Sequence, residues 1–475
     1  MPNSWLQYLI ILAYFAFIVT KGLRRSREIK TTDDFLVAGR RTGWFVLMCT
    51  MGATVLGGGA SIGAIGRTYE WGILMLVIST GWYLHFIISG LFVAPYFRKA
   101  KLYTVAGYFG HRYGEKSRFL AFLLSLCFSV GILGAQRVAF GKIITTMIPD
   151  FSYLAAVLIG GGIVILYSTA GGLLAVIHTD VYQFIILIAG FFITVMLCAP
   201  DIIQSSGTIS QTVPAEFFQI EGGKGWLFLI TTFLAFFLGE TFAPGYATRY
   251  CIGKNVKETK KGIVGSGIFL AFTFPVILFF IALYARLHFP NIDPEMALPR
   301  TIIQLNNPVI GGIIIAALMC AVMSSADSIL NSATAIFVKD LYEKYLSNSK
   351  VIQKRGLIIA RFSSVALGLL GISMAIVLPN VIDLLLLTYN LWAPGIILPV
   401  LIGVISKNRT LRHNLLIFIT MLVSTAATIM YMNTPYTETV QPSVFGLIVS
   451  GVMYTAGKIV LAFSRMDKPE ENENP

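Results

Sequence analysis

The chain has 475 residues, of which 56% are hydrophobic and only 12% charged, about half the charge that an average soluble protein carries. Apolar runs of roughly 20 residues recur along its length, each long enough to cross a bilayer as a helix, which excludes a soluble globular fold. The net charge of +13 does not mark a nucleic-acid partner, because the basic residues collect in alternate loops rather than on one face.

The first run, Trp5 to Val19, is followed by basic residues and has no small-residue cleavage site. It reads as a retained helix, not a signal peptide. Spans are expected near 4–20, 43–66, 70–97, 118–147, 152–169, 179–199, 226–250, 263–288, 308–342, 355–378, 380–404, 413–432 and 442–464, about 13 in all, with boundaries good to a few residues. Most Lys and Arg lie in every second loop and the tail, in stretches such as "KGLRRSREIK", "GKNVKETKK" and "SKNRTLRH". The opposite loops carry only Arg67, Lys224, Arg286 and Arg300. The positive-inside rule then sets the N-terminus outside and the C-terminus in the cytoplasm. The loops near 200–225 and 289–307 are long enough for small helical lids, and the tail 465–475 is polar and expected to be disordered. The five cysteines, without CxxC spacing, read as free thiols.

In the second span, "TVLGGGASIGAIG" puts glycine at 57, 58 and 59. Each costs about 1 kcal/mol relative to alanine in a helix. The triplet points to an unwound stretch at mid-membrane, which persists only where it lines a protein-buried cavity. Close packing through small residues is the other reading. Five spans later, "FFLGETFAPGYATRY" interrupts the seventh at Gly239-Glu240-Thr241 and Pro244-Gly245. Five is odd, so the two spans cross in opposite directions. Matching interruptions in successive five-helix blocks, 43–199 and 226–404, point to an inverted-repeat transporter with its sites at mid-membrane. The segments 4–20 and 413–464 are then peripheral.

In the ninth span, Ala321, Ser324, Ser325, Ser328 and Ser332 form one stripe at the depth of the glycine triplet. Hydroxyl and carbonyl oxygens suit a hard cation such as Na⁺. Serines can also bond back to carbonyls of their own or a neighbouring helix.

The segments "GGLLAVIHTDVYQFIILIAG" (171–190) and "SSADSILNSATAIFVKDLY" (324–342) resemble the signatures of the sodium:solute symporter family, as does "DDFLVAGRRTGWFVLMCTMGATVLGGG". That family includes bacterial proline, sialic acid, pantothenate and sugar symporters. The resemblance implies an all-α polytopic membrane protein with a leucine-transporter-like five-plus-five inverted repeat. It also implies uptake of a small organic solute driven by Na⁺ across a bacterial inner membrane, without an obligate protein partner. Carried over by position, it places the common sodium site at the carbonyls of Ala53, Leu56 and Ala321 and the hydroxyls of Ser324 and Ser325. A second sodium site would use Asp180, Ser325 and Ser328. Family members often have a polar residue where this chain has Val55.

Ionisable groups at membrane depth are functional candidates. Asp180 is either a sodium ligand or an N-terminal cap. Asp383 reads as a cap, Asp327 as a brace to a neighbouring helix, His85 as structural, and Lys142 as reaching the outer interface. Arg137 either pairs with Glu240 or holds an anionic, carboxylate-bearing solute. Thr54, Gly57 and Gln136 complete the candidate solute contacts. No HExxH, GxSxG or P-loop pattern offers an enzyme's catalytic set. A passive channel, a sensor on the same scaffold, and coupling to H⁺ or Li⁺ are the rival readings.

Overall fold

The structure, a computed structural model, describes residues 4–26, 38–100, 103–346, 352–406 and 410–466. The tail 467–475 and part of the basic stretches at 27–30 and 407–409 lie outside them. Among the described residues, nine helices are long and apolar enough to cross a membrane, or up to 11 if each of two bent pairs counts as one span. Shorter apolar helices lie at Trp5–Tyr14 and Tyr153–Leu166.

Both interruptions expected from the glycines and proline are present. The first broken helix runs over Trp44–Val55, leaves helical geometry at Leu56, passes a π-helical turn at Gly59–Gly63 and resumes at Ala64–Trp71. Its halves are bent by 54°. The second runs over Trp226–Gly239 and Pro244–Ile252 with a 45° bend. Pro244 opens the second half, where its missing N–H costs nothing. The turn between them contains Phe242 at φ 65°, a left-handed backbone rare for an aromatic residue.

One expectation is corrected. A loop was expected near 170–178, but the backbone is helical from Tyr153 to Gln204. A straight helix of that length would be about 78 Å long, more than twice the hydrocarbon core. Its two apolar parts, Tyr153–Leu166 and Val176–Gln204, therefore cannot both belong to one crossing. Asp180 lies inside this run and is not an N-terminal cap. Asp383 does not cap either: Asn380 does, accepting from the Asp383 N–H, and the Asp383 carboxylate pairs with Arg67 at 2.7 Å.

The helix Pro308–Ile336 carries the serines. It is the most buried of the spans, with 83% of its apolar stretch covered against 17% for Pro442–Phe463. It packs on Ser4–Ser26, Glu115–Met147 and Tyr153–Gln204, whereas Leu411–Tyr431 and Pro442–Met466 lean mainly on each other and on Val381–Ile405. Helices do form in both long loops, at Ser206–Thr212 and Ala297–Leu305. The first loop seals against Gly72, whose φ of 59° and contact with the Phe217 carbonyl leave no room for a Cβ.

The second loop is fastened by carboxylates. Glu295 accepts from the Val381 N–H at 2.6 Å while Asp293 pairs with Lys142. Burial pushes the Glu295 carboxyl up to about 7, against the opposing pull of the Val381 N–H and of Lys142. Lys142 stands 4.0 Å from the second Glu295 oxygen, an ion pair at a distance rather than a hydrogen bond. The folded chain thus binds a proton that the unfolded chain releases near its ordinary value of 4.5. This contribution to stability is full below that value and is lost as pH rises through about 7. Between pH 5 and 8 the wild type should lose on the order of 2–3 kcal/mol more unfolding free energy than Glu295→Gln. Thermal unfolding at both pH values checks this, and equal losses would refute the assignment.

Candidate ion and solute site

The serine helix meets the first break through one hydroxyl. Ser325 Oγ lies 3.3 Å from the Ala53 carbonyl, 3.0 Å from that of Thr54 and 2.9 Å from that of Ala321. A hydroxyl has one proton to give, so three carbonyl oxygens converge on a donor that can satisfy one of them well. The approach needs Gly57: a Cβ there would run into Ser325 and come within 2.7 Å of Gln136 Oε1. Gln136, from the helix Glu115–Met147, accepts from the Gly58 N–H at 2.7 Å, so its side chain replaces a bond that the break removed from the helix ladder. Thr54 donates to the Thr50 carbonyl at 2.8 Å.

Ser324, one position on, turns to Asp180 and donates to it. Thr50 donates to the other Asp180 oxygen. Arg249, from the second broken helix, completes the cluster. Its Nη2 lies 2.7 Å from Ser328 Oγ and 3.5 Å from Asp180, and its Nε 3.2 Å from Thr50 Oγ1. Asp180 and Arg249 are both fully buried. The structure therefore brings Ala53, Ala321 and Ser325 together and joins Asp180 to Ser324. It puts a guanidinium between Asp180 and Ser328. Ser332 bonds back to the Ser328 carbonyl at 2.9 Å and meets Thr248 at 3.0 Å, so parts of the stripe do serve helix packing.

A small cavity of about 30 Å³, which must widen to admit an organic solute, lies beside this cluster, lined among others by Thr54, Trp82, Phe128, Gln136, Glu240 and Tyr246. Glu240 accepts from the Tyr246 hydroxyl at 2.6 Å and the Tyr389 hydroxyl at 2.5 Å. Gly239 lets Tyr389 approach, since a Cβ would come within 2.6 Å of its ring. Arg137 does not line this cavity. Successive helical residues point about 100° apart, and with Gln136 turned inward, Arg137 faces Gly161 of the long helix. No hydrogen bond joins it to Glu240, and the charge acting on it is Asp327. His85 is buried against Phe86 and Tyr246.

Sequence reasoning missed Arg249, Thr50, Trp82, Tyr246 and Tyr389. Arg249 follows the break by one helical length in "PGYATRY" and was legible only as a loop-proximal basic residue. Tyr246 carried no signal apart from neighbouring the break, and Tyr389, in the distant helix Val381–Ile405, carried none.

Residues 35–420 match the family described as the sodium:solute symporter family. The chain belongs to that family. It is 30% identical over 396 residues to the sodium/sialic acid symporter NanT of Aliivibrio fischeri, covering 77% of this chain and 75% of that one. It is 26% identical to the high-affinity choline transporter 1 of Drosophila melanogaster, with 81% and 63% covered. Its fold is that of a Na⁺-coupled sialic acid symporter solved in a substrate-bound outward-open state, with a TM-score of 0.79 at 21% identity over 95% and 98% of the two chains. The protein is a sodium-coupled secondary transporter of a small organic solute, works by alternating access, and is not an enzyme.

The Asp180–Arg249 pair fixes how this symporter responds to losing one charge. Arg249→Ala leaves a buried carboxylate without its counter-charge, bonded only to Thr50 and Ser324, and should cost about 3–5 kcal/mol. Adding Asp180→Asn should recover a large part of that. Thermal unfolding of both variants checks the cycle, and additive losses would show that the two groups act independently.

Proposed function

We propose that the coupling Na⁺ binds between the first break and the serine helix, at the carbonyls of Ala53, Leu56 and Ala321 and the hydroxyls of Ser324 and Ser325. The observation that carries this is the convergence of the Ala53, Thr54 and Ala321 carbonyls on Ser325 Oγ. A hard cation satisfies all these oxygens at once, as a single proton does not. Ser324 joins by turning from Asp180. A second Na⁺ at Asp180, Ser325 and Ser328 would have to displace the Arg249 guanidinium from between Asp180 and Ser328. That favours one Na⁺ per cycle.

The solute occupies the adjacent cavity once it widens, against Thr54, Gln136 and Glu240, while Gly57 faces Ser325 and Gln136 and lies off its wall. Arg137, turned toward the long helix, is poorly placed to hold a carboxylate. Sialic acid and choline, for which two relatives are named, leave the solute's charge open. The two broken spans fit a five-plus-five inverted repeat. About 13 crossings follow when the short apolar helices Trp5–Tyr14 and Tyr153–Leu166 are added to the 11. The N-terminus is outside and the C-terminus in the cytoplasm of a bacterial inner membrane, on the distribution of basic residues. Entry of one Na⁺ down about 100 mV supplies about 2.3 kcal/mol, and a tenfold gradient adds about 1.4. Together they support accumulation of a neutral solute by several hundred-fold.

The test is ion-specific stabilisation of the purified chain. NaCl should raise the unfolding temperature above that in equimolar KCl. Ser325→Ala should raise the half-saturating Na⁺ concentration about tenfold, equivalent to about 1.4 kcal/mol, with the fold kept because alanine suits a helix. Equal responses to the two salts, or an unchanged sodium dependence in Ser325→Ala, would refute the site.

A further inference from the structure

The buried acids divide by partner. Asp180 has Arg249, Asp340 has Arg118 at 2.9 Å, Glu295 has Lys142 at 4.0 Å, and Asp327 lies in the field of Arg137. Glu240 differs. Both its oxygens accept from phenols, and no Lys, Arg or His among the described residues forms an ion pair with it. At Tyr389 the surroundings support this direction. Trp82 Nε1 donates to the Tyr389 oxygen at 3.3 Å, which leaves the Tyr389 proton for Glu240. A carboxyl that accepts at both oxygens has the pattern of an ionised carboxylate. Taking such a charge out of water costs several kcal/mol unless a counter-charge arrives. The side on which one can arrive is the cavity that Glu240 lines.

The rest of the cavity tells what kind of cation fits. Its lining includes the aromatic residues Trp82, Phe128 and Tyr246, and aromatic rings attract cations to their faces. Its side-chain acceptors are few. Gln136 Oε1 already holds the Gly58 N–H, the Thr54 hydroxyl gives its proton to its own helix and keeps only its lone pairs, and each Glu240 oxygen already takes one phenol. A primary ammonium brings three N–H donors that would compete for these few acceptors. A methylated ammonium brings a positive charge with few donors or none, and aromatic walls beside a carboxylate are suited to it.

We propose that the solute carries a methylated ammonium group, tertiary or quaternary, held by Glu240 and the rings of Trp82, Phe128 and Tyr246. This rests on the transport reading above and names the solute class for its cavity.

The experiment uses the purified full chain and follows thermal unfolding in NaCl and in KCl. The probes are three compounds of one shape: choline, 3,3-dimethylbutan-1-ol, its neutral isostere, and the anion 3,3-dimethylbutanoate. In NaCl, choline should stabilise the protein at a concentration about tenfold lower than the alcohol does, and the anion should not stabilise it. Glu240→Gln should weaken choline at least about tenfold, and Phe128→Leu several-fold. The proposal is overturned if the alcohol or the anion acts at choline's concentration or below. It is also overturned if choline has no effect while Na⁺ still stabilises, or if Glu240→Gln leaves choline's effect intact. The last outcome would make Glu240 a structural or proton-binding group. Should Glu240→Gln not fold, Phe128→Leu decides, and an unchanged response to choline in it overturns the proposal. Loss of the Na⁺ response itself in the wild type would instead refute the transport reading.

Discussion

Asp180 sets the terms for the centre of this molecule. A carboxylate buried in a bilayer-spanning bundle needs full pairing, and its partners come from three other elements: Thr50 on the first broken helix, Ser324 on the serine helix and Arg249 on the second broken helix. The long helix that carries Asp180 is thereby tied to both interrupted helices at once. Each of those has given up part of its own backbone ladder, so its path depends on such side-chain ties. Remove the carboxylate, and Arg249 is left without its acidic partner, bonded only to Ser328, Thr50 and the Gly245 carbonyl.

The breaks follow from the same economy. At the first, the Gly58 N–H is rescued by Gln136 and the Gly57 carbonyl by Ser61. At the second, Trp392 reaches the Thr241 carbonyl at 3.4 Å and the Ala243 N–H closes a turn on the Glu240 carbonyl at 2.8 Å. Irregular backbone survives at this depth because neighbouring helices and the turns of the breaks themselves supply what the ladder lost. The oxygens not spent in this way, around Ser325, are the ones available to an ion.

Most of the fold was legible because it is written in local chemistry. Three consecutive glycines and a Pro-Gly pair located both breaks, and the i, i+3, i+4, i+7 spacing of the serines predicted one buried face. Two things were not legible. Helical backbone through 170–178 depends on packing that hydropathy does not carry, since Gly171-Gly172 reads equally as a turn. Partner choice among charged groups depends on angles. Arg137 and Glu240 were matched by depth alone, while a rotation of one residue, from Gln136 to Arg137, separates the cavity from the far side of the helix. The hub residues Thr50 and Arg249 lay on elements already singled out, yet nothing in either local sequence says that they meet.

That rotation has an electrostatic consequence. Had Arg137 faced inward, the cavity would hold a cation and an anion and be close to neutral. With Arg137 turned toward Gly161 and acted on by Asp327, and with Arg249 spent on Asp180 and Ser328, neither buried arginine near the breaks is paired with Glu240. Beside it, the carbonyls of Ala53, Thr54 and Ala321 turn their negative ends toward Ser325. Both neighbouring sites are therefore electronegative, and Thr54 and Ser325 border both. Two positive occupants so close would repel, yet each also offsets part of the negative field that the other experiences. For a protein that must bind ion and solute together, the balance of those two effects is fixed by the broken helix that lies between them.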